Sequence, residues 1–199
     1  MSDKTQAYYE QEAKAFFDAT VTIDPTPILT PLAEALLPGA RVLDIGCGSG
    51  RDLLWLKNRG FVPHGLEPSP ALAKLAEKHS GCPVTTGDII TTDHFNELWD
   101  GILISGVLVH FPHNTIPDIL SRITNALAPG GRLYVSVKEG YGLATDNDNR
   151  DFYYWQDDTF QAVARNAGLH LLEMTRSASA RGNSDVWLGY VFERQPDVR

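Results

Sequence analysis

The segment from Arg41 to Leu54, R-V-L-D-I-G-C-G-S-G-R-D-L-L, constrains this chain more than any other. An apolar run, Val42, Leu43 and Ile45 around Asp44, precedes three glycines at alternate positions, Gly46, Gly48 and Gly50. Leu53, Leu54 and Leu56 then resume as an apolar helical pattern. The order is strand, tight turn, helix. Such a turn lets backbone N–H groups and the positive end of a helix approach a ligand with no Cβ atoms in the way.

The remaining chain reads as further strands and helices in alternation, the pattern of a doubly wound α/β fold. A second strand is predicted over Phe61–Leu66, a helix over Pro70–His79 with Ser69 as its cap, and a short third strand over Cys82–Thr86. Trp99–Ser105 is apolar enough for the middle of a sheet. A helix over Ile116–Leu127 and a strand over Arg132–Lys138 follow. Leu169–Thr175 and Val186–Glu193 are joined by a connection short enough for an antiparallel pair. Ahead of the sheet, Lys4–Ala19 reads as one amphipathic helix bearing Tyr8, Tyr9, Phe16 and Phe17, and Pro27–Leu37 as a second.

Polar residues at predicted strand ends carry the chemistry. Glu67 lies 21 residues after Gly46, close to the ~20-residue spacing at which an acid on the next strand reaches ribose hydroxyls. Asp44 precedes the first glycine by two residues, where a carboxylate would repel a pyrophosphate but accept a hydrogen bond from a cationic amino group. The glycines fall as G-x-G-x-G and not as the dinucleotide pattern G-x-G-x-x-G. Both features favour S-adenosylmethionine, with its ammonium and sulfonium, over NAD.

D-I-G-C-G-S-G resembles the first motif of class I S-adenosylmethionine-dependent methyltransferases. Gly87-Asp88-Ile89 is similar to their third motif, and L-A-P-G-G before the fifth strand is typical of them. The resemblance runs from Arg41 onward. Within the class, G-S-G-R-D and the stretch after Ser105 look most similar to small bacterial stand-alone enzymes, including the tellurite-resistance methyltransferases. What this implies is a Rossmann-like sheet of seven strands, mostly parallel, with an antiparallel C-terminal pair. It forms a single domain over 1–199, divided into an N-terminal helical cap, 1–39, and a core, 40–199. S-adenosyl-L-methionine is the implied cofactor. Its methionine end would lie on Asp44, Gly46, Cys47, Gly48 and Gly50 with Arg51 near the carboxylate, its ribose on Glu67 beside Pro68, and its adenine on Asp88 and Ile89, with Ser105 at the end of the fourth strand.

On the substrate side, His110 follows the fourth strand as a general base or as a shaper of the pocket. The polar, glycine-rich segment after Lys138 has the length of a binding loop. Lys138, Arg150 and Tyr153, with Tyr9 from the first helix, are the candidate substrate contacts, against the plainer alternative of a solvated loop with an aromatic anchor. The N-P-P-Y-type tetrapeptide of amino-methylating nucleic-acid enzymes is absent, the corresponding stretch being Ser105-Gly106-Val107-Leu108.

With 199 residues, 43% hydrophobic and 21% charged, the chain suits one folded domain. Its net charge of −8 argues against a broad phosphate-binding surface, so the expected acceptor is a small molecule and no nucleic-acid partner is expected. Two cysteines indicate neither a disulfide framework nor a cysteine metal cluster. No apolar run matches a signal peptide or a membrane span, so a cytoplasmic location is expected. Oligomeric state is open. Two rival readings stand beside methyl transfer to a small nucleophile by direct in-line displacement: a non-catalytic S-adenosylmethionine-binding protein, and an NAD-dependent oxidoreductase.

Overall fold

The computed structural model describes residues 1–92 and 97–195. Its sheet has seven strands: β1 (Arg41–Ile45), β2 (Val62–Glu67), β3 (Val84–Thr86), β4 (Trp99–Ile104), β5 (Leu127–Lys138), β8 (Leu169–Ala178) and β9 (Val186–Arg194). Their order is β3-β2-β1-β4-β5-β9-β8. The pairs from β3 to β5 are parallel, whereas β9 runs antiparallel to both β5 and β8. The order reverses between β1 and β4, and the crevice beyond their carboxyl ends is where such a sheet takes a ligand.

Helices cover both faces. On one, α6 (Ile116–Ala126) and α7 (Asp157–Asn166) meet the sheet. Ile116, Ile119, Leu120 and Ile123, one stripe of α6, are buried with Leu43, Ile45, Ile102, Leu133 and Val135, alternate residues of the central strands. On the other face, Leu29 and Leu32 of α3 (Thr26–Ala35) and Trp55 and Leu56 of α4 (Arg51–Asn58) pack on Val42, Leu103 and Tyr134. Helix α3 is thus part of a sheet layer, so only the first part of the expected 1–39 cap lies over the strand ends.

That part is α1 (Asp3–Gln11) and α2 (Ala13–Thr20), which replace the single helix expected over Lys4–Ala19. The joint is Glu12, whose φ and ψ of −99° and 20° leave the helical region, although its N–H still reaches the Tyr8 carbonyl. Both helices pack on α5 (Pro70–Ser80). The L-A-P-G-G segment is no plain turn: Leu127 already pairs with Trp99, and after a register shift Arg132 pairs with Gly101. The polar loop beyond Lys138 contains a small separate ribbon, β6 (Leu143–Thr145) with β7 (Asp151–Tyr153).

Candidate active site

A cavity of about 220 Å³ lies over the ends of β1, β2 and β4, roofed by α1 and α2. Gly46, Gly48, Glu67, Pro68, Asp88, Ile89 and Ser105 line it on the sheet side, and Tyr9, Phe16, Val107, His110 and Phe111 elsewhere. Residues from widely separated parts of the chain converge because every parallel strand in this half of the sheet ends at the same edge.

The glycine turn is compact for reasons of packing as well as access. Gly46, Gly48 and Gly50 all have positive φ, between 54° and 73°, a region other residues seldom adopt. A Cβ on Gly46 would sit 2.4 Å from Cγ2 of Val107, and one on Gly48 would press on Phe16 at 3.2 Å. Gly50 differs. It begins α4 against the backbone of Ala76, 2.7 Å from the site of a Cβ, and does not line the cavity.

Glu67 is buried, 4% exposed, at the end of β2. Its Oε2 accepts from the N–H of Gly48 at 2.9 Å and its Oε1 from that of Ser69 at 3.0 Å. Burial raises its pKa to about 7 against the pull of those two amides. Each oxygen retains a lone pair for a further donor. Asp88 spends most of its capacity locally: Oδ1 accepts from the N–H groups of Ile90 and Thr91, and Oδ2 from the Thr91 hydroxyl. Ile89 beside it is 3% exposed and presents apolar surface to the cavity.

Asp44 stands behind the cavity wall, 2% exposed, with Oδ2 lacking any hydrogen-bond partner. Burial first, and then the neighbouring Asp52, push its carboxyl well above the usual carboxylate range, against the pull of Arg51. Arg51 is not aimed at the cavity. Its guanidinium forms a salt bridge with Asp52 at 2.6 Å. Cys47 also faces away, packed with Leu53, Ala76 and Cys82, and burial raises its thiol pKa.

Opposite the sheet, His110 lies in a 3₁₀ turn, Leu108–His110, and is 4% exposed. Its Nε2 is 2.9 Å from the Tyr9 hydroxyl and its Nδ1 is 2.7 Å from the Asp151 carbonyl oxygen. Burial lowers its pKa to about 4. The other three expected substrate contacts lie outside the cavity wall. Lys138 is buried between Asp185, at 2.8 Å, and the ring of Phe152, 3.6 Å from its centroid. Arg150 pairs with Asp146 at 2.6 Å and lies over Tyr8, 4.3 Å from the ring centroid. Tyr153 packs edge-on to His113. Its neighbour Phe152, on the opposite face of β7, is the one against His110, at 4.8 Å. Period-two alternation in the sequence held that distinction, whereas Gln6 and Thr91, also in the lining, carried no signal. Among the described residues no cluster of three or more His, Cys, Asp or Glu side chains has the arrangement of a metal site.

A family profile described as "Methyltransferase domain" matches residues 14–174. Among curated proteins, a ubiquinone biosynthesis O-methyltransferase of Xylella fastidiosa is 35% identical over 107 residues, 51% of this chain and 43% of that protein. A probable tRNA methyltransferase 9B of Mus musculus is 29% identical over 146 residues, 72% of this chain and 30% of that one. The chain therefore spans less than half the length of either relative. Among solved structures, a 1,6-didemethyltoxoflavin-N1-methyltransferase of Burkholderia thailandensis, with 1,6-didemethyltoxoflavin and S-adenosylhomocysteine bound, superposes with a TM-score of 0.81 at 21% identity. That match covers 97% of this chain and 88% of the other, and it speaks for the fold.

Proposed function

Because the chain belongs to the methyltransferase-domain family, we propose that it binds S-adenosyl-L-methionine and transfers its methyl group to a small-molecule nucleophile. The observation that carries this reading is the cavity in which the glycine turn, Glu67 and the Asp88–Ile89 pair meet an apolar and aromatic wall. The residues fit the cofactor. The orphaned Oδ2 of Asp44, just behind the cavity wall, lacks the donor that an ammonium group, through a bridging water, would provide. At Gly46 and Gly48 a Cβ would run into Val107 and Phe16 of the cavity wall, so only glycine leaves the turn's backbone beside the cavity. Glu67 is free to accept from two ribose hydroxyls, and Ile89 offers a flat apolar contact beside the remaining lone pair of Asp88.

When bound, the sulfonium supplies an electrophilic methyl carbon. The chain's own contribution is position and dryness. Glu67 and the turn hold one partner, while Tyr9, Phe16 and Phe111 exclude water and hold the acceptor in line. In this reading Asp44, Gly46, Gly48, Glu67, Pro68, Asp88, Ile89 and Ser105 serve the cofactor, and Arg51, Cys47 and Gly50 shape the turn from behind.

Two features favour a small acceptor over a nucleic acid: a cavity roofed by α1 and α2, and a net charge of −8. No helix among the described residues is long and apolar enough to cross a membrane. Two free, buried cysteines suit a reducing compartment, hence the cytoplasm. A transfer assay with labelled methyl donor, run against a metabolite extract and against bulk tRNA, tests the reading. Label in small molecules is expected, and label in tRNA alone would overturn it.

A further inference from the structure

Tyr9 and His110 are 101 residues apart in the chain, and their hydrogen bond joins the roof of the cavity to its wall. The direction of that bond follows from the other side of the ring. A carbonyl oxygen only accepts, so the 2.7 Å contact between Nδ1 and the Asp151 carbonyl places the imidazole proton on Nδ1. The ring is neutral, since burial depresses its pKa. Nε2 therefore has a free lone pair, and the phenol of Tyr9 donates to it. With Arg150 donating to it, the Tyr9 oxygen keeps one further lone pair, in a cavity walled by Phe16, Val107 and Phe111.

The rest of the assembly holds this pair in place. The N–H of Asp151 donates to Thr5 Oγ1 at 3.1 Å, so α1 carries both Tyr9 and a support for the residue that orients His110. Arg150 also acts on the phenol. Burial pushes the Tyr9 pKa up to about 12 despite the pull of the Arg150 charge and hydrogen bond, so the phenol keeps the proton that it donates.

We propose that Tyr9 accepts the acceptor's proton and passes its own to His110. The relay calls for an acceptor methylated at a hydroxyl or a ring N–H, and not a thiolate or another ready-made anion, and the rings of Phe16 and Phe111 in the cavity wall suit a flat aromatic one. As transfer proceeds, an electron pair of the acceptor atom forms the bond to the methyl carbon, the O–H or N–H bond breaks and leaves its pair on that atom, and the carbon–sulfur pair stays on sulfur. The acceptor's proton goes to Tyr9 Oη, the Tyr9 proton goes to Nε2, and the resulting imidazolium, still donating through Nδ1 to Asp151, later releases a proton to water. Tyr9 is the catalytic residue, and His110 a positioning residue that acts through it.

This rests on the methyltransferase reading, so the test begins with calorimetric titration of S-adenosylhomocysteine. Absence of binding would remove that reading and the relay with it. On the complex, ¹⁵N NMR of the histidine rings is expected to show His110 protonated at Nδ1, with an Nε2 resonance that moves in Tyr9→Phe and not in Tyr8→Phe. Protonation at Nε2, or an Nε2 resonance indifferent to Tyr9→Phe, would overturn the relay while leaving cofactor binding intact. Turnover is then measured on 8-hydroxyquinoline, 3,4-dihydroxybenzoate, 4-quinolone and thiophenol. Methylation of a hydroxyl or N–H probe is expected, with Tyr9→Phe and His110→Ala each lowering kcat by roughly 10²–10⁴-fold and leaving KM within about twofold. The double variant should fall no further than the worse single one, as for residues acting as a unit. Losses that multiply in the double variant would overturn the relay, and methylation of thiophenol alone, or of no probe, would overturn the acceptor class.

Discussion

Gly48 and Glu67 are bound to each other across the first two strand ends, the glycine N–H donating to Oε2 of the carboxylate at 2.9 Å. The same carboxylate accepts from Ser69 at the start of α5. One buried side chain thus fixes the glycine turn against the next helix and still faces the cavity. Its behaviour bears on both stability and ligand affinity.

The first expectation concerns pH. Glu67 has a folded pKa of about 7, raised by burial above the ordinary glutamate value of 4.5. The folded state therefore holds its proton more tightly than the unfolded one. The stabilisation this brings is fully present below pH 4.5 and is lost as pH rises through about 7. Ribose hydroxyls donate to the ionised form, so cofactor affinity should instead increase as pH rises toward 7 and above, with protons released on binding. Calorimetry near pH 6.5 in buffers of different ionisation enthalpy checks this, and heats independent of the buffer would contradict it.

Removal of the side chain gives a second expectation. Glu67→Ala should weaken S-adenosylhomocysteine binding by roughly 1.5–3 kcal/mol, the scale of hydrogen bonds to a charged group. Unchanged affinity in a folded variant would take Glu67 out of the site.

The glycines of the turn and its surroundings separate by what their missing Cβ would meet. Gly50 has φ +73° and faces Ala76 backbone atoms at 2.7 and 2.8 Å, whereas Gly60 has φ +84° and open space around it. Both Gly→Ala changes incur the left-handed backbone cost of roughly 1–2 kcal/mol. Gly50→Ala should lose about 1–3 kcal/mol more from overpacking. Urea unfolding of the two variants compares them directly, and equal losses would contradict the packing account.

Lys138 is expected to act on stability. Its salt bridge with Asp185 is largely buried, with side chains 8% and 17% exposed. Breaking such a pair from one side costs on the order of 3–5 kcal/mol. Lys138→Ala should lower the urea midpoint accordingly and leave cofactor affinity alone. A variant of full stability with a raised acceptor KM would return Lys138 to the substrate site.

The cofactor half of this site was legible because its signals are local. The alternate glycines, the acid two residues before them and Glu67 on the next strand all follow from one strand-turn-helix unit and the strand beside it, and the parallel order of β1, β2 and β4 brings them to one edge. Positions facing away from the cavity were not separable from those facing it. Arg51 finds Asp52 next to it in the chain, and Gly50 answers to the close approach of α5. The acceptor half was legible in residues but not in relations. Tyr9 and His110 were both identifiable as candidates, yet their contact depends on how α1 folds back to the turn that follows β4. Tyr153 was legible as a residue, but shifting one place along a strand moves a side chain to the other face, so its neighbour Phe152 is the one that packs on His110 while Tyr153 meets His113. Lys138 looked available because Asp185, its partner, arrives from a loop 47 residues later.

The central claim is that this glycine turn serves a sulfonium compound. Isothermal titration of the purified protein with S-adenosylhomocysteine and, separately, with NAD measures it most directly. Saturable binding of S-adenosylhomocysteine with no response to NAD is the predicted result. Binding of NAD with no response to S-adenosylhomocysteine would contradict the account.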